Sequence, residues 1–236
     1  MAASRGLLIL VPARRGSKGL PGKNVKPLGG VPLLGWTARS IRAARIGGRA
    51  VLSTDDPAIA EVGVAEGLDV PFLRPTALAA DDTDMVDVVI HAVEWMEQRA
   101  GFAVGAIMLL QPTCPFRNPR RLVEGLALLS RPETDGVIGV ARLERSPSLL
   151  YREEPDGFLQ PLAPWEAATL RQRVRPTFTP NGTFYLVTRE ALDRHRRLFP
   201  PRLRPLETTT LEGIDIDTPD DWAIAEAIVA AGLAAP

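Results

Sequence analysis

Residues 7–24 read LLILVPARRGSKGLPGKN, an apolar run that passes directly into a basic segment with three glycines. The run Leu7–Val11 is short and ended by Pro12, a pattern typical of a buried β-strand. It is too short for a signal peptide and is followed by Arg14 and Arg15 without a small-residue cleavage site. We predict that it forms the first strand of a sheet.

The segment after this strand has the composition of an anion-binding loop. Five positive charges lie within thirteen residues, with no acid between them: Arg14, Arg15, Lys18, Lys23 and Lys26. Glycines between them allow positive φ and bring backbone N–H groups close to anionic oxygens. Parallel sheets bind ligands beyond the carboxyl ends of their strands, and a triphosphate requires fixed donors together with cations. A solvated basic loop is the alternative.

Two other nucleotide-binding loops are disfavoured by spacing. The strand is not followed by Gly-x-Gly-x-x-Gly, the dinucleotide pattern, or by Gly-x-x-x-x-Gly-Lys-Ser/Thr, the P-loop pattern. We predict that Lys23 and Arg14 contact the α- and γ-side phosphates and stabilise pentacoordinate charge.

Short apolar runs alternate with amphipathic stretches through most of the chain. The predicted strands are Leu7–Val11, Ala50–Ser53, Val70–Leu73, Ala106–Leu110, Gly136–Val140, Phe184–Val187 and Ile214–Ile216. The predicted helices are Pro32–Ile46, Asp56–Gly67, Asp84–Arg99, Asn118–Ser130 and Pro219–Leu233. This alternation predicts one α/β domain over residues 1–236, with a mostly parallel sheet covered by helices on both faces. Residues 146–180 are rich in proline, include a hairpin signal at Pro155–Gly157, and are predicted to form an inserted lobe.

The bulk composition restricts partners and location. The 28 basic and 28 acidic residues cancel, so there is no global field for nucleic acid or a membrane surface. No stretch approaches the roughly 20 apolar residues that span a bilayer. One cysteine, Cys114, excludes an intramolecular disulfide and fits a cytoplasmic protein.

Two carboxylates near the C-terminus form a candidate metal site. Asp215 and Asp217 alternate with Ile214 and Ile216, so on a strand both acids would leave the same face. Oxygen ligands of this kind suit Mg²⁺, which retains waters and substrate phosphates. The alternative is that Asp217 only supports the start of the following helix.

The ordered motifs resemble the acylneuraminate cytidylyltransferase family, the enzymes that make CMP-sialic acid and its relatives. The matching segments are Ala13–Arg14, Ser17–Pro21, Lys23–Asn24, Ser53–Asp55, Leu73–Pro75, His91–Ala92, Leu110–Thr113, Pro180–Gly182 with Tyr185, and Asp215–Thr218. The resemblance implies a Rossmann-like fold of the nucleotide-diphospho-sugar transferase type and a homodimer formed through the lobe.

The resemblance also implies roles for individual residues. Ser17, Lys18 and Asn24 belong to the CTP-binding loop, and the segment from Arg74 through Thr83 to Met85 surrounds the cytosine. Gln111, Asn181 and Tyr185 lie near the acceptor, and Arg171, from an arginine-rich stretch, is a candidate for its carboxylate. Simpler roles stay open, because Arg74 can fix its loop, Gln111 and Asn181 can support turns, and Tyr185 can be a core residue.

The predicted reaction is Mg²⁺-dependent transfer of CMP from CTP to an acidic acceptor, with release of pyrophosphate. Sialate-activating members often carry arginine where this chain has Thr179, serine near the position of Met85 and lysine near that of Leu149. The identity of the acceptor is therefore open. A sialic-acid-like 2-keto sugar acid is the first expectation. A phosphonate or another non-sugar acid is the alternative.

Overall fold

A six-stranded sheet forms the centre of the protein. The computed structural model describes residues 5–17, 19–143, 147–163 and 176–236. The strands in chain order are β1 Gly6–Pro12, β2 Pro27–Leu28, β3 Val31–Pro32, β4 Arg49–Ser53, β5 Val104–Leu109, β6 Gly136–Leu143, β7 Tyr151–Glu153, β8 Leu159–Pro161, β9 Thr177–Thr188 and β10 Leu203–Glu207. The helices are α1 Leu33–Ala44, α2 Pro57–Ala65, α3 Met85–Gln98, α4 Pro119–Leu129, α5 Arg189–His195 and α6 Pro219–Ala230.

The strand order of this sheet is β10-β6-β9-β5-β1-β4. The pairs β1–β4, β1–β5 and β10–β6 are parallel, whereas β9 runs antiparallel to β5 and β6. The mostly parallel sheet of the sequence analysis is therefore confirmed. The antiparallel β9 separates β5 from β6, although these two strands follow one another in the chain.

Alternating side chains of β1 build two cores. Ile9 and Val11 pack with residues of α1, α2 and α4, whereas Leu8 and Leu10 pack with residues of α3 and α5 on the other face. Helices thus cover both faces, as predicted. A third cluster joins α6 to β2 and β3, and buries Ile216 beside Trp222.

All five predicted helices are confirmed within a few residues, and four of them, α2, α3, α4 and α6, begin at a side-chain cap. Asp56 accepts from the Ala58 N–H at 2.7 Å, and Asn118 accepts from the Arg120 N–H at 3.0 Å. Thr218 begins α6 with a capping box completed by Asp221. Each arrangement satisfies N–H groups that lack partners within the helix.

Two strand predictions were wrong. The described residues 70–73 belong to no strand, and only the preceding Asp69 forms a bridge, to Val51. The described residues 214–216 follow a turn and are also outside any strand; their backbone is linked to the segment after β5 by a hydrogen bond from Ile216 N–H to Thr113 O at 2.8 Å.

The sequence analysis also missed β10 and α5 and gave β9 too short. β10 contains Pro205, which has no N–H to donate, but the strand lies at the edge of the sheet, where a missing N–H is tolerated. The predicted hairpin at Pro155–Gly157 is confirmed by the antiparallel pair β7–β8. No described helix is long and apolar enough to cross a membrane.

Candidate active site

A cavity of about 460 Å³ opens at the carboxyl ends of β1 and β5, the edge at which a ligand was expected. Its size is that of a small-molecule site. Nine of the predicted site residues line it: Arg14, Ser17, Lys23, Asn24, Arg74, Met85, Gln111, Asp215 and Asp217. The structure thus brings the basic loop and the acidic pair to one cavity.

The basic loop is in direct contact with the segment that carries Asp215 and Asp217, here called the acidic segment. Lys23 is buried, and its Nζ donates to Ile216 O at 2.8 Å and to Asp217 Oδ1 at 2.6 Å. A Cβ atom at Gly19 would lie 2.2 Å from Asp217 O, so only glycine fits at this crossing. Gly22, with φ of 70°, precedes the 3₁₀ turn that carries Lys23 and Asn24.

Two arginines of the loop also have acidic partners. Arg14 Nη1 lies 2.6 Å from Asp81 Oδ1 and donates to Ala79 O at 3.2 Å, which ties the loop to the segment after Arg74. Arg15 is exposed and pairs with Asp56 at 3.4 Å. Arg14 lines the cavity, whereas Arg15 is not among the lining residues described.

The acidic segment is anchored before it reaches the cavity. Thr208 N–H donates to Val140 O at 2.9 Å, and Asn181 Nδ2 donates to Thr208 Oγ1 at 2.6 Å. Glu212 is buried, accepts from Thr209 N–H at 2.6 Å and pairs with Arg121 at 3.2 Å. These contacts fix the backbone that leads to Asp215.

The two carboxylates differ in their surroundings. Partial burial raises the pKa of Asp215, and the charge of Asp217 adds to the increase; a hydrogen bond with Thr113 and the charge of Lys23 oppose it. The Asp217 side chain is 68% exposed and neutralised on one oxygen by Lys23.

The carboxylates of Asp215 and Asp217 are the donors at this cavity that a Mg²⁺ ion would need. Within the described part of the chain, no three His, Cys, Asp or Glu residues are grouped as metal ligands. Asp215 and Asp217 nevertheless both face the cavity, and one oxygen of Asp217 is left beside the Lys23 contact. Two carboxylates with room for waters and phosphate oxygens fit Mg²⁺, which rarely takes an all-protein cage.

Arg74 supports its own loop and also borders the cavity. Its guanidinium is buried and donates to Ser53 Oγ at 3.0 Å, to Ser53 O and to Leu78 O. Burial lowers the pKa of Arg74 to about 10, so it remains cationic at neutral pH. Met85, in the first turn of α3, lies at the same cavity.

Three predicted residues are not among the described lining residues, and two cannot be placed. Thr83 bonds its own loop at Ala77 O, 3.4 Å away. The side-chain oxygen Oδ1 of Asn181 accepts from Thr183 Oγ1 at 2.8 Å, and both residues lie within β9, at an irregularity of its pairing with β6 and not in a turn. Tyr185 is half-buried, with its ring 5.7 Å from that of Phe199. Lys18 and Arg171 lie outside the described residues.

Sequence reasoning missed several groups that build the site. Thr113 lines the cavity and bonds Asp215, and the buried Arg117 lies behind Gln111. Their signal was only their position directly after β5. Cys114 is buried, and burial raises its pKa to about 12, which disfavours a role as a nucleophile.

Comparison with known proteins agrees with this geometry. A family model described as cytidylyltransferase matches residues 8–124, which include the basic loop and Gln111. A CMP-N,N'-diacetyllegionaminic acid synthase of Legionella pneumophila is 32% identical over 224 residues, covering 94% of this chain and 96% of the relative. The chain belongs to the cytidylyltransferase family.

Two further cytidylyltransferases show the extent of the likeness. An N-acylneuraminate cytidylyltransferase of Streptococcus agalactiae is 27% identical over 217 residues, and the chain spans 51% of its length. A solved CMP:2-keto-3-deoxy-manno-octonic acid synthetase complexed with CTP superposes with a TM-score of 0.70 at 19% identity, covering 96% of this chain and 99% of that one. The latter confirms the nucleotide-diphospho-sugar transferase type of fold.

The raised pKa of Asp215 predicts a pH-dependent gain of stability in Asp215→Asn. A carboxyl group whose folded-state pKa is raised destabilises the fold once it ionises, and this penalty is absent when it is protonated. The variant should therefore unfold at higher denaturant concentration than the wild type near pH 7 to 8, and the difference should vanish toward about pH 4.

Urea unfolding at several pH values measures this difference. Asp220→Asn, an exposed first-turn position of α6, is the control and should show no such gain. A loss of stability at pH 8 in Asp215→Asn would contradict the prediction.

Proposed function

We propose that the protein catalyses Mg²⁺-dependent transfer of CMP from CTP to a sialic-acid-like 2-keto sugar acid, with release of pyrophosphate. The observation that carries the proposal is the contact of Lys23 with Asp217 at one cavity, where a cation that would bind phosphate lies beside a carboxylate that would bind Mg²⁺. The names of the relatives, which include a legionaminic acid synthase and an acylneuraminate cytidylyltransferase, support this class of acceptor.

The residues would act mainly by positioning and by charge. Lys23, held by Ile216 O and Asp217, directs an ammonium group toward the α-phosphate, and Arg14, Ser17 and Asn24 extend the donor set along the triphosphate. Arg74 and Met85 border the space for the base, and Gln111 borders the space for the acceptor. Asp215 and Asp217 would hold Mg²⁺, which neutralises charge on the triphosphate and on the leaving pyrophosphate.

The bond changes follow from this arrangement. A hydroxyl oxygen of the acceptor attacks the α-phosphorus in line and loses its proton to water, and the bond from that phosphorus to the bridging oxygen of pyrophosphate breaks. The transition state spreads negative charge over the phosphoryl oxygens, so fixed cations stabilise it more than they stabilise bound CTP.

Pyrophosphate release over a panel of acceptors tests the function directly. With CTP and Mg²⁺, we expect release with an N-acylated nonulosonic acid and little with an octulosonic acid or a phosphonate. Omission of Mg²⁺ should abolish release. If pyrophosphate is released mainly with the phosphonate, the proposed acceptor class is wrong. If none is released with any acceptor, the proposed function is wrong.

Lys23→Ala should lower kcat by about 100-fold or more, since it removes a preorganised cation from the developing charge. Arg15→Ala is the matched control, because it removes a cation of the same loop that is exposed and paired with Asp56. Steady-state kinetics measures both, and circular dichroism checks the fold. Equal activity of the two variants would contradict the role of Lys23.

We also propose that the protein is a cytoplasmic homodimer that pairs through the inserted lobe, which contains the β7–β8 hairpin. Phe158, Leu159 and Leu162 are 74%, 65% and 53% exposed, an apolar surface that a second copy would cover. The single free Cys114 fits a reducing compartment.

Analytical ultracentrifugation tests this pairing. The wild type should sediment at about twice the 25.5 kDa chain mass, and Phe158→Glu should shift the equilibrium toward the monomer because a charge in the interface is costly. Ile224→Glu, at an exposed position of α6, is the control. A monomeric wild type would contradict the proposal.

A further inference from the structure

Arg117 is a buried cation whose hydrogen-bond partners are neutral oxygens. It is only 4% exposed, and its Nη2 donates to Gln111 O at 2.9 Å. Its Nε donates to Thr183 O, and its Nη1 to Thr37 Oγ1 at 3.3 Å. One guanidinium therefore joins the segment after β5, the strand β9 and the helix α1.

The guanidinium occupies the point where the ladder between β5 and β9 ends. The last pair of that ladder is Leu109 with Tyr185. Continuing the same register by two residues would place Gln111 opposite Thr183. Instead of strand pairing at that position, the carbonyls of these two residues both accept from Arg117. The side chain therefore sets the separation of the two backbones there.

Groups on the cavity depend on this separation. Gln111 lines the cavity from one backbone. On the other, Asn181 and Gly182 directly precede Thr183 within β9, at an irregularity of its pairing with β6. A Cβ atom at Gly182 would lie 3.1 Å from Gln111 Oε1 and 3.5 Å from Asp215 Oδ2. Gly182 therefore lies close to both Gln111 and Asp215, and a small change in the spacing of the two backbones would move these groups relative to one another.

The charge at this position is costly. Burial lowers the pKa of Arg117 to about 10, and the nearby charge of Asp215 offsets part of that cost. An apolar side chain would avoid the desolvation penalty, but it would leave two carbonyls and a hydroxyl without a donor. Lysine would keep the charge but lacks the planar fork that reaches separate acceptors.

We propose that Arg117 is a positioning residue for the acceptor side of the cavity, which it shapes by fixing the distance between Gln111 and the Asn181-Gly182 irregularity of β9. The inference rests on the proposed function for its kinetic consequence. Arg117 is not among the lining residues described, and its hydrogen bonds reach Gln111, Thr183 and Thr37 but no described residue of the basic loop. Its loss should therefore affect the acceptor more than CTP.

Arg117→Lys is the first test. We expect kcat/KM for the acceptor to fall by about 100-fold, the usual consequence of displacing a binding group by about 1 Å. The Kd of CTP, measured by calorimetry without acceptor, should change by less than about twofold. Equal losses for CTP and acceptor, or no loss for either, would overturn the proposal.

Two hydroxyl variants on α1 provide a milder, matched pair. Thr37→Val removes an acceptor of the guanidinium, whereas Ser40→Ala removes a buried hydroxyl that donates to the Arg117 backbone carbonyl at 3.3 Å. We expect KM for the acceptor to rise only in Thr37→Val, by about fivefold. The same response in both variants would show a merely structural role and overturn the proposal, even if Arg117→Lys failed to fold.

The side-chain amide resonance of Gln111 separates this inference from the proposed function. In glutamine-labelled protein without ligands, this resonance should shift in Arg117→Lys and in Thr37→Val, but not in Ser40→Ala. That result would support the positioning role even if the wild type transferred CMP to none of the acceptors tried. An unmoved resonance in Arg117→Lys would refute it whatever the activity.

Discussion

The ion pair between Lys23 and Asp217 is the contact on which the site depends. It joins residues 194 positions apart in the chain, and one partner is buried while the other faces the cavity. A buried ammonium group is tolerated because it has both a carbonyl and a carboxylate as acceptors. The same contact holds the N-terminal loop against the C-terminal acidic segment, so the cavity is complete only when both segments are in place.

Three cations of the basic loop are paired before any ligand arrives. Arg14, Arg15 and Lys23 each lie beside an acid. A triphosphate entering with its metal ion would exchange one set of ion pairs for another rather than meet bare charges. Such an exchange favours a ligand that brings a metal cation with its phosphates, because a carboxylate that loses a cationic partner needs another cation.

The sequence was enough to predict those parts of the fold and the site that depend on residues close together in the chain. The helices could be predicted because their caps and apolar faces are encoded within a few residues, and the basic loop could be found from its charges. Residues 214–216 look like a strand, yet their neighbour is the Thr113 backbone and not a sheet. Arg117 and Glu212 were missed since a buried arginine or glutamate looks like a surface residue until its distant partner is known. The place of β9 required tertiary pairing that no local signal carries.

That place has a consequence for how the protein is made. The edges of β5 and β6 that pair with β9 stay unpaired until residues 177–188 have been synthesised, because β9 lies between these two strands in the sheet but follows both in the chain. A nascent chain on the ribosome would therefore expose the unpaired backbone of two apolar strands for much of translation. Chaperone dependence and inclusion-body formation by C-terminally shortened chains would follow from this late closure, quite apart from any catalytic defect.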